Sequence, residues 1–318
     1  MLKKIGVIGG GNIGGVLVQE IARRKLARKV GLIDILAPDF AKGKCLDIAE
    51  GTPVIGVDVE VEGAKDYSVI KGSDVIINTA GVPRKPKPDG SLPSREELLA
   101  TNLKITDQVA AGIMEYAPDA IVISIANPLD AIVYTLYKRM NPPKNKLFGM
   151  AGVLDSARYR YFVAKAANVS VENVEALVLG GHGDTMVPIR SCCRIAGMPV
   201  EQFVGKEDLE ALESRTRKAG GEVVKLLGSG SAFVSPAWSA LEMVEAINGD
   251  SHKIMPVCAL LEGEYGVNGL FVGVPAIMGR NGIEKVVEVQ LTDGEKAGLD
   301  KSVEAVRKTC AEVDEMSK

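Results

Sequence analysis

The feature that most constrains this chain is a glycine turn near its N-terminus, set between a short strand and a helix. Ile5 to Ile8 form an apolar, β-branched run that enters Gly9-Gly10-Gly11-Asn12-Ile13-Gly14, after which helical periodicity begins. Glycine at each position of G-x-G-x-x-G has its own mechanical reason. The first permits the tight turn, the second lets a pyrophosphate approach the backbone, and the third lets the helix pack closely on the strand. The phosphates would then sit at the helix N-terminus, where unpaired N–H groups and the helix dipole favour an anion. Asp34 follows Gly14 by twenty residues, at the end of the next strand. Its carboxylate suits the two hydroxyls of an adenosine ribose and repels a 2′-phosphate, so the expected cofactor is NAD rather than NADP.

That turn opens an alternating pattern. Apolar runs at Ile5 to Ile8, Val30 to Ile33, Val57 to Val61, Val75 to Asn78 and Ile121 to Ile125 are separated by amphipathic stretches. Runs apolar on both faces are those of parallel strands covered by helices above and below, which predicts a doubly wound α/β fold of Rossmann type over residues 1–150. A long helix is expected from Arg95, with Leu98, Leu99, Asn102, Ile105, Val109 and Ile113 on a helical period and Pro118 closing it. Before it, Pro83 to Ser94 carries four prolines and excludes regular structure. Residues 151–318 read as a separate α+β domain. A helix begins near Val153, strands follow at Val174 to Leu179, Val187 to Ile195, Ile254 to Leu261 and Phe271 to Ile277, and a last helix spans Asp293 to Met316.

Composition narrows the partners. The 318 residues carry Lys+Arg 38 against Asp+Glu 41, a formal charge of −3, so no basic excess exists for nucleic acid or an anionic membrane. No run approaches the ~18 apolar residues of a membrane span. Five cysteines without a C-x-x-C pair fit a reducing compartment, and the reading is a cytoplasmic protein. Cys45, Cys258 and Cys310 read as small buried hydrophobes. Only His182 and His252 are available for imidazole chemistry, and His252 reads as a surface loop residue.

Several positions carry polar groups where a doubly wound sheet binds its ligand, outside the carboxyl ends of the strands: Thr79-Ala80-Gly81 and Ala126-Asn127-Pro128. Asn127 before a proline is also an ordinary turn former. Gly180-Gly181-His182-Gly183-Asp184 surrounds a histidine with small residues that leave its ring accessible. Asp155 and Arg158 stand three apart on one helix face, a spacing equally that of a surface ion pair. Arg84 and Arg95 bracket the proline-rich stretch, and a charged loop alone means little.

Together these motifs resemble the lactate/malate dehydrogenase family, and within it the malate dehydrogenases of lactate-dehydrogenase type. The match runs nearly end to end: the glycine turn with Asp34, Thr79 to Pro86, Ser94-Arg95, Asn102, Ala126-Asn127-Pro128, Val153 to Arg158, and Gly181 to Asp184. The resemblance implies oxidation of a 2-hydroxy acid, with His182 as proton acceptor and donor and Asp155 holding its ring. It makes Arg158 the partner of the C1 carboxylate, and Arg95, on a mobile loop over about 82–95, the group that polarises the reacting oxygen. Asn127 joins the substrate-binding set. NAD would be bound by Gly9, Gly11, Asn12, Ile13, Gly14, Asp34, Thr79, Ala80, Gly81, Asn102, Ala126 and Asn127, with no metal. Arginine at position 84 implies a second substrate carboxylate, hence malate and oxaloacetate. A homotetramer is implied, with a homodimer as alternative.

The loop departs from the family pattern. Ten residues, Lys85 to Ser94, separate Arg84 from Arg95 where five are usual. The five extra residues, Lys87 to Ser91, are expected to bulge to solvent. A lengthened loop is also similar to that of pyruvate-specific lactate dehydrogenases of one parasite branch, so an L-lactate dehydrogenase is the alternative. Those enzymes place a tryptophan in the insertion, whereas the single tryptophan here is Trp238. A remote alternative from another class, an NAD-dependent glycosidase, needs a metal held by cysteine and histidine. Cys192 and Cys193 lie in a strand where neighbouring side chains face opposite ways, which is poor geometry for that.

Overall fold

The computed structural model describes residues 1–35, 39–82 and 94–316, with Arg95 described by its backbone alone. The expectations for Arg84, for the Arg95 side chain and for the inserted loop residues lie outside these described residues.

The chain runs β1 (Leu2–Ile8), α1 (Asn12–Arg23), β2 (Ala27–Ile33), α2 (Phe40–Gly51), β3 (Glu60–Ala64), β4 (Val75–Asn78), α3 (Arg95–Tyr116), β5 (Ile121–Ser124), α4 (Leu129–Met140) and β6 (Leu147–Gly149). There follow α5 (Gly152–Ala167), β7 (Val174–Leu179), β8 (Val187–Ile195), β9 (Met198–Pro199), α6 (Lys206–Leu227) and α7 (Val234–Gly249). The chain closes with β10 (Lys253–Glu262), β11 (Asn268–Gly279), β12 (Gly282–Val286) and α8 (Asp293–Met316).

Strands β1 to β6 pair in parallel in the order β3-β2-β1-β4-β5-β6, the doubly wound arrangement expected. All four residues of β4 and of β5 are buried. Successive residues feed opposite faces: Val75 and Ile77 join one apolar cluster while Ile76 joins another. A Ser94/Glu97 capping box starts α3, with Glu97 N–H donating to Ser94 Oγ at 3.0 Å and Ser94 N–H to Glu97 Oε2 at 2.8 Å.

One expectation is corrected. The third strand lies at Glu60–Ala64, three residues beyond the Val57 to Val61 run. Pairing with β2 starts only at Lys29↔Glu60, and Val57 is held earlier in a turn by its N–H bond to the Thr52 carbonyl at 3.0 Å. Gly63 lets α2 lie close against this strand, since a Cβ there would lie 2.2 Å from the Ala41 carbonyl oxygen of α2. The sheet itself continues from the first half into the second. Strand β10 pairs antiparallel with β6 through Cys258↔Gly149, so β10, β11 and β12 extend the parallel sheet to nine strands. One apolar cluster accordingly runs through Leu17 and Ile21 of α1, Ala240 and Val244 of α7, and Val257 and Val272 of β10 and β11. Strands β7, β8 and β9 form a small antiparallel sheet of their own. Among the described residues no helix is long and apolar enough to cross a membrane.

Candidate active site

The glycine turn joins β1 to α1 at the carboxyl edge of the sheet. Gly9 has φ +102°, a conformation that side-chain-bearing residues rarely adopt, and a Cβ there would lie 2.5 Å from Thr79 Oγ1. At Gly14 a Cβ would lie 1.9 Å from the Gly9 carbonyl oxygen, so the helix can approach the strand only because residue 14 has no side chain. At Gly11 the Cβ position has nothing within 4 Å and opens outward. Gly11 is also the N-cap of α1, with no side-chain cap and no acidic residue in the first turn, so the chain puts no carboxylate in competition for the helix N-terminus. Asn12 is exposed at this edge, and Ile13 packs partly on the core. Asp34, only 7% exposed, follows β2 and accepts the Gly10 N–H at 2.8 Å. Lys44 of α2 donates to the carbonyls of Gly10 at 2.6 Å and Gly11 at 3.0 Å. A tight backbone cradle beside a carboxylate fits NAD, with pyrophosphate at the amides and ribose at Asp34.

The neighbouring strand ends are knitted to this turn. Thr79 Oγ1 donates to the Ile8 and Gly9 carbonyls at 3.0 and 3.1 Å, and the Ala80 N–H donates to Asn78 Oδ1 at 3.1 Å. Gly81 is exposed beside them. Asn102 is 1% exposed: its Oδ1 accepts the Val82 N–H at 2.8 Å, and its Nδ2 donates to the Val82 and Asn127 carbonyls at 3.2 and 3.0 Å. Its amide therefore holds two strand-end segments in register. After β5, Ala126 is buried and Asn127 is exposed.

His182 arrives from the second half. Gly180, at φ +94°, exchanges backbone bonds with Gly273 of β11 at 2.8 and 3.0 Å, which anchors the turn after β7. Asp155 and Arg158 come from the first turns of α5. Asp155 Oδ2 lies 2.8 Å from His182 Nδ1, and its Oδ1 accepts from Arg158 Nη1 at 3.4 Å. Side-chain exposures of 13%, 3% and 15% for His182, Asp155 and Arg158 decide against a surface ion pair. One buried carboxylate thus sits between an imidazole and a guanidinium. With Nδ1 engaged by Asp155, the other ring nitrogen, Nε2, remains to exchange a proton with a ligand. The cluster is tied to the end of the parallel sheet, because the His182 N–H donates to Asp130 Oδ2 of α4 at 3.0 Å, three residues beyond Asn127.

Burial alone pulls the His182 imidazole down, but the charge and hydrogen bond of Asp155, aided by Asp130, outweigh burial and the opposing Arg158 and hold it above its ordinary value. Burial lowers the Arg158 guanidinium, against the pull of Asp155. His252 is exposed and meets Glu284 at 2.8 Å, far along the chain from this cluster. Sequence reasoning missed Lys44, Asp130 and Cys258. Asp130 gives only the weak signal of an acid in the first turn of a helix. Lys44 gives none, since its partners lie 34 and 33 residues away.

Residues 3–149 match the family model described as the lactate/malate dehydrogenase NAD binding domain, and residues 152–317 match the alpha/beta C-terminal domain of the same family. A malate dehydrogenase of Geotalea uraniireducens is 53% identical over 315 residues, covering 96% of this chain and 97% of that one. The crystal structure of Cryptosporidium parvum malate dehydrogenase superposes with TM-score 0.93 at 40% identity, covering 99% of this chain and 100% of that one. A lactate dehydrogenase from the same organism, complexed with lactic acid and nicotinamide adenine dinucleotide, gives TM-score 0.93 and 40% identity over 99% and 98% of the two chains. The chain belongs to the lactate/malate dehydrogenase family.

Proposed function

We propose that the chain is an NAD-dependent malate dehydrogenase, interconverting (S)-malate and oxaloacetate. The observation that carries the reading is the buried bridge of Asp155 between His182 and Arg158, tied to the carboxyl end of β5. NAD, held by the glycine turn and Asp34, supplies the acceptor or donor of hydride. His182 Nε2 takes the hydroxyl proton during oxidation and returns one during reduction. Asp155 fixes the tautomer and stabilises the imidazolium, and Arg158 orients the C1 carboxylate by charge-assisted bonds. Arg95 polarises the reacting oxygen, Asn127 adds a donor at the same place, and Arg84 pairs the second carboxylate.

Arginine at 84 and the 53% identical relative named malate dehydrogenase both favour the diacid. Burying a second carboxylate without a partner costs several kcal/mol, so a guanidinium there selects for it. A second reading, pyruvate as substrate, draws on the lactate dehydrogenase neighbour that is as similar in structure as the malate dehydrogenase from the same organism. We further assign the cofactor-binding part to residues 1–150 and the substrate part to 151–318, in a homotetramer or homodimer. Five free cysteines favour a reducing cytoplasm.

The test is NADH oxidation with oxaloacetate by the chain and by His182→Asn. Turnover in the first, with a loss of about 10²-fold or more in the second at unchanged NADH affinity, supports the reading. An active His182→Asn variant overturns it.

A further inference from the structure

We propose that Asp130 is a positioning residue for proton transfer at His182, its carboxylate joining the backbone of the histidine to the helix that begins beside Asn127. The proposal rests on the reading of His182 as the proton-transfer group. Asp130 Oδ2 accepts the His182 N–H at 3.0 Å, and Oδ1 accepts the Cys258 thiol of β10 at 3.3 Å. The approach is possible because residue 181 has no side chain: a Cβ on Gly181 would lie 3.1 Å from Asp130 Oδ2 and 2.6 Å from Val306 Cγ2 of α8. The Gly181 N–H in turn donates to Ser302 Oγ of α8 at 2.9 Å.

The His182 turn is therefore gripped from three sides: β11 through Gly180, α8 through Ser302, and α4 through Asp130. Only the last grip carries a charge. It also spans the two elements whose side chains, Asn127 and His182, must meet on one substrate.

The charge matters to the imidazole. Asp155 and Asp130 face His182 as carboxylates and Arg158 as a guanidinium, while Cys258, pushed well above its ordinary value by burial and by Asp130, stays a neutral thiol. Two negative groups against Arg158 leave the cluster balanced when the ring is protonated. Burial, with the like charge of Asp155, leaves the Asp130 carboxyl above its ordinary value, although the charge of His182 and the Cys258 and His182 donors oppose the rise, as does the N-terminal position on α4. Asp130 thus favours the imidazolium and fixes where it stands.

The experiment follows the His182 ring directly. Only two histidines exist and His252 is exposed, so the proton NMR titration of His182 can be assigned with a His252→Gln variant. In Asp130→Asn the ring titration and the limb of the kcat/KM profile for oxaloacetate reduction should both move about one pH unit downward. The direction follows because reduction needs the imidazolium, which an uncharged neighbour stabilises less. NADH affinity, read by fluorescence, should stay within about twofold, since the bonds of Asp130 go to His182 and Cys258 and not to the glycine turn. An unmoved ring titration in the folded variant overturns the proposal while leaving the role of His182 intact. A ring that moves while the kinetic limb stays fixed overturns the role of His182 itself. Should Asp130→Asn not fold, Asp130→Ser removes the same charge with a smaller side chain and should shift the ring downward likewise; no shift there refutes the proposal equally.

Discussion

The two halves of the site are built from opposite materials. At the glycine turn the recognition surface is backbone, made possible by side chains that are missing: Gly9, Gly11 and Gly14 leave a turn, an opening and a close helix-to-strand contact. Around His182 the surface is side chain, and its parts come from α4, α5, β10 and the turn after β7. In the proposed reading the first half binds a pyrophosphate and a ribose, and the second selects a proton, a carboxylate and a reaction. Cofactor affinity and turnover should therefore separate cleanly under mutation.

The largest effect sharpens that separation from the side-chain half. Asp155→Asn keeps the shape but removes the charge that holds the imidazolium, and kcat should fall by about 10²–10⁴-fold with NADH affinity unchanged in a fluorescence titration. Loss of NADH binding in that variant would mean the halves are not independent.

From the backbone half, Gly14→Ala puts a methyl 1.9 Å from the Gly9 carbonyl. The turn must open, at a cost of about 1–3 kcal/mol of stability, and NADH binding should be lost before oxaloacetate chemistry is altered. A calorimetric midpoint and NADH affinity equal to those of the parent would show that the glycine is not needed for close packing. A smaller change tests discrimination alone: Asp34→Ser should raise the NADPH to NADH ratio of kcat/KM by about tenfold, because the carboxylate that repels a 2′-phosphate is gone. An unaltered ratio would move the ribose away from Asp34. The smallest effect concerns a lysine that braces the backbone cradle. Lys44→Met removes the bonds to the Gly10 and Gly11 carbonyls. It should weaken NADH binding by about threefold, with kcat untouched.

The contrast also explains what the sequence could reveal. The glycine turn was legible because each of its steric demands falls within six residues, and the parallel order followed from runs that are apolar on both faces. The Val75 to Asn78 strand and the Asp293 to Met316 helix were bounded as the structure has them, since strong patterns there end abruptly. At the third strand, alternation of Val57, Val59 and Val61 marked burial but not pairing, which the register with β2 decides. Asp155 and Arg158 were visible as a helix spacing, yet their burial between α5 and the His182 turn is a tertiary fact. Asp130 touches His182 across 52 residues and Cys258 across 128, and no local pattern encodes such contacts. The same holds for the continuity of the sheet through Cys258↔Gly149.

In the proposed reading Arg158 and Arg84 hold the two carboxylates of one diacid substrate beside His182. The most direct test of this is kcat/KM with NADH for oxaloacetate against pyruvate, measured on one preparation. An unpaired buried charge costs about 3–5 kcal/mol, so oxaloacetate should be preferred by about 10²-fold or more. Equal rates, or a preference for pyruvate, would contradict the account.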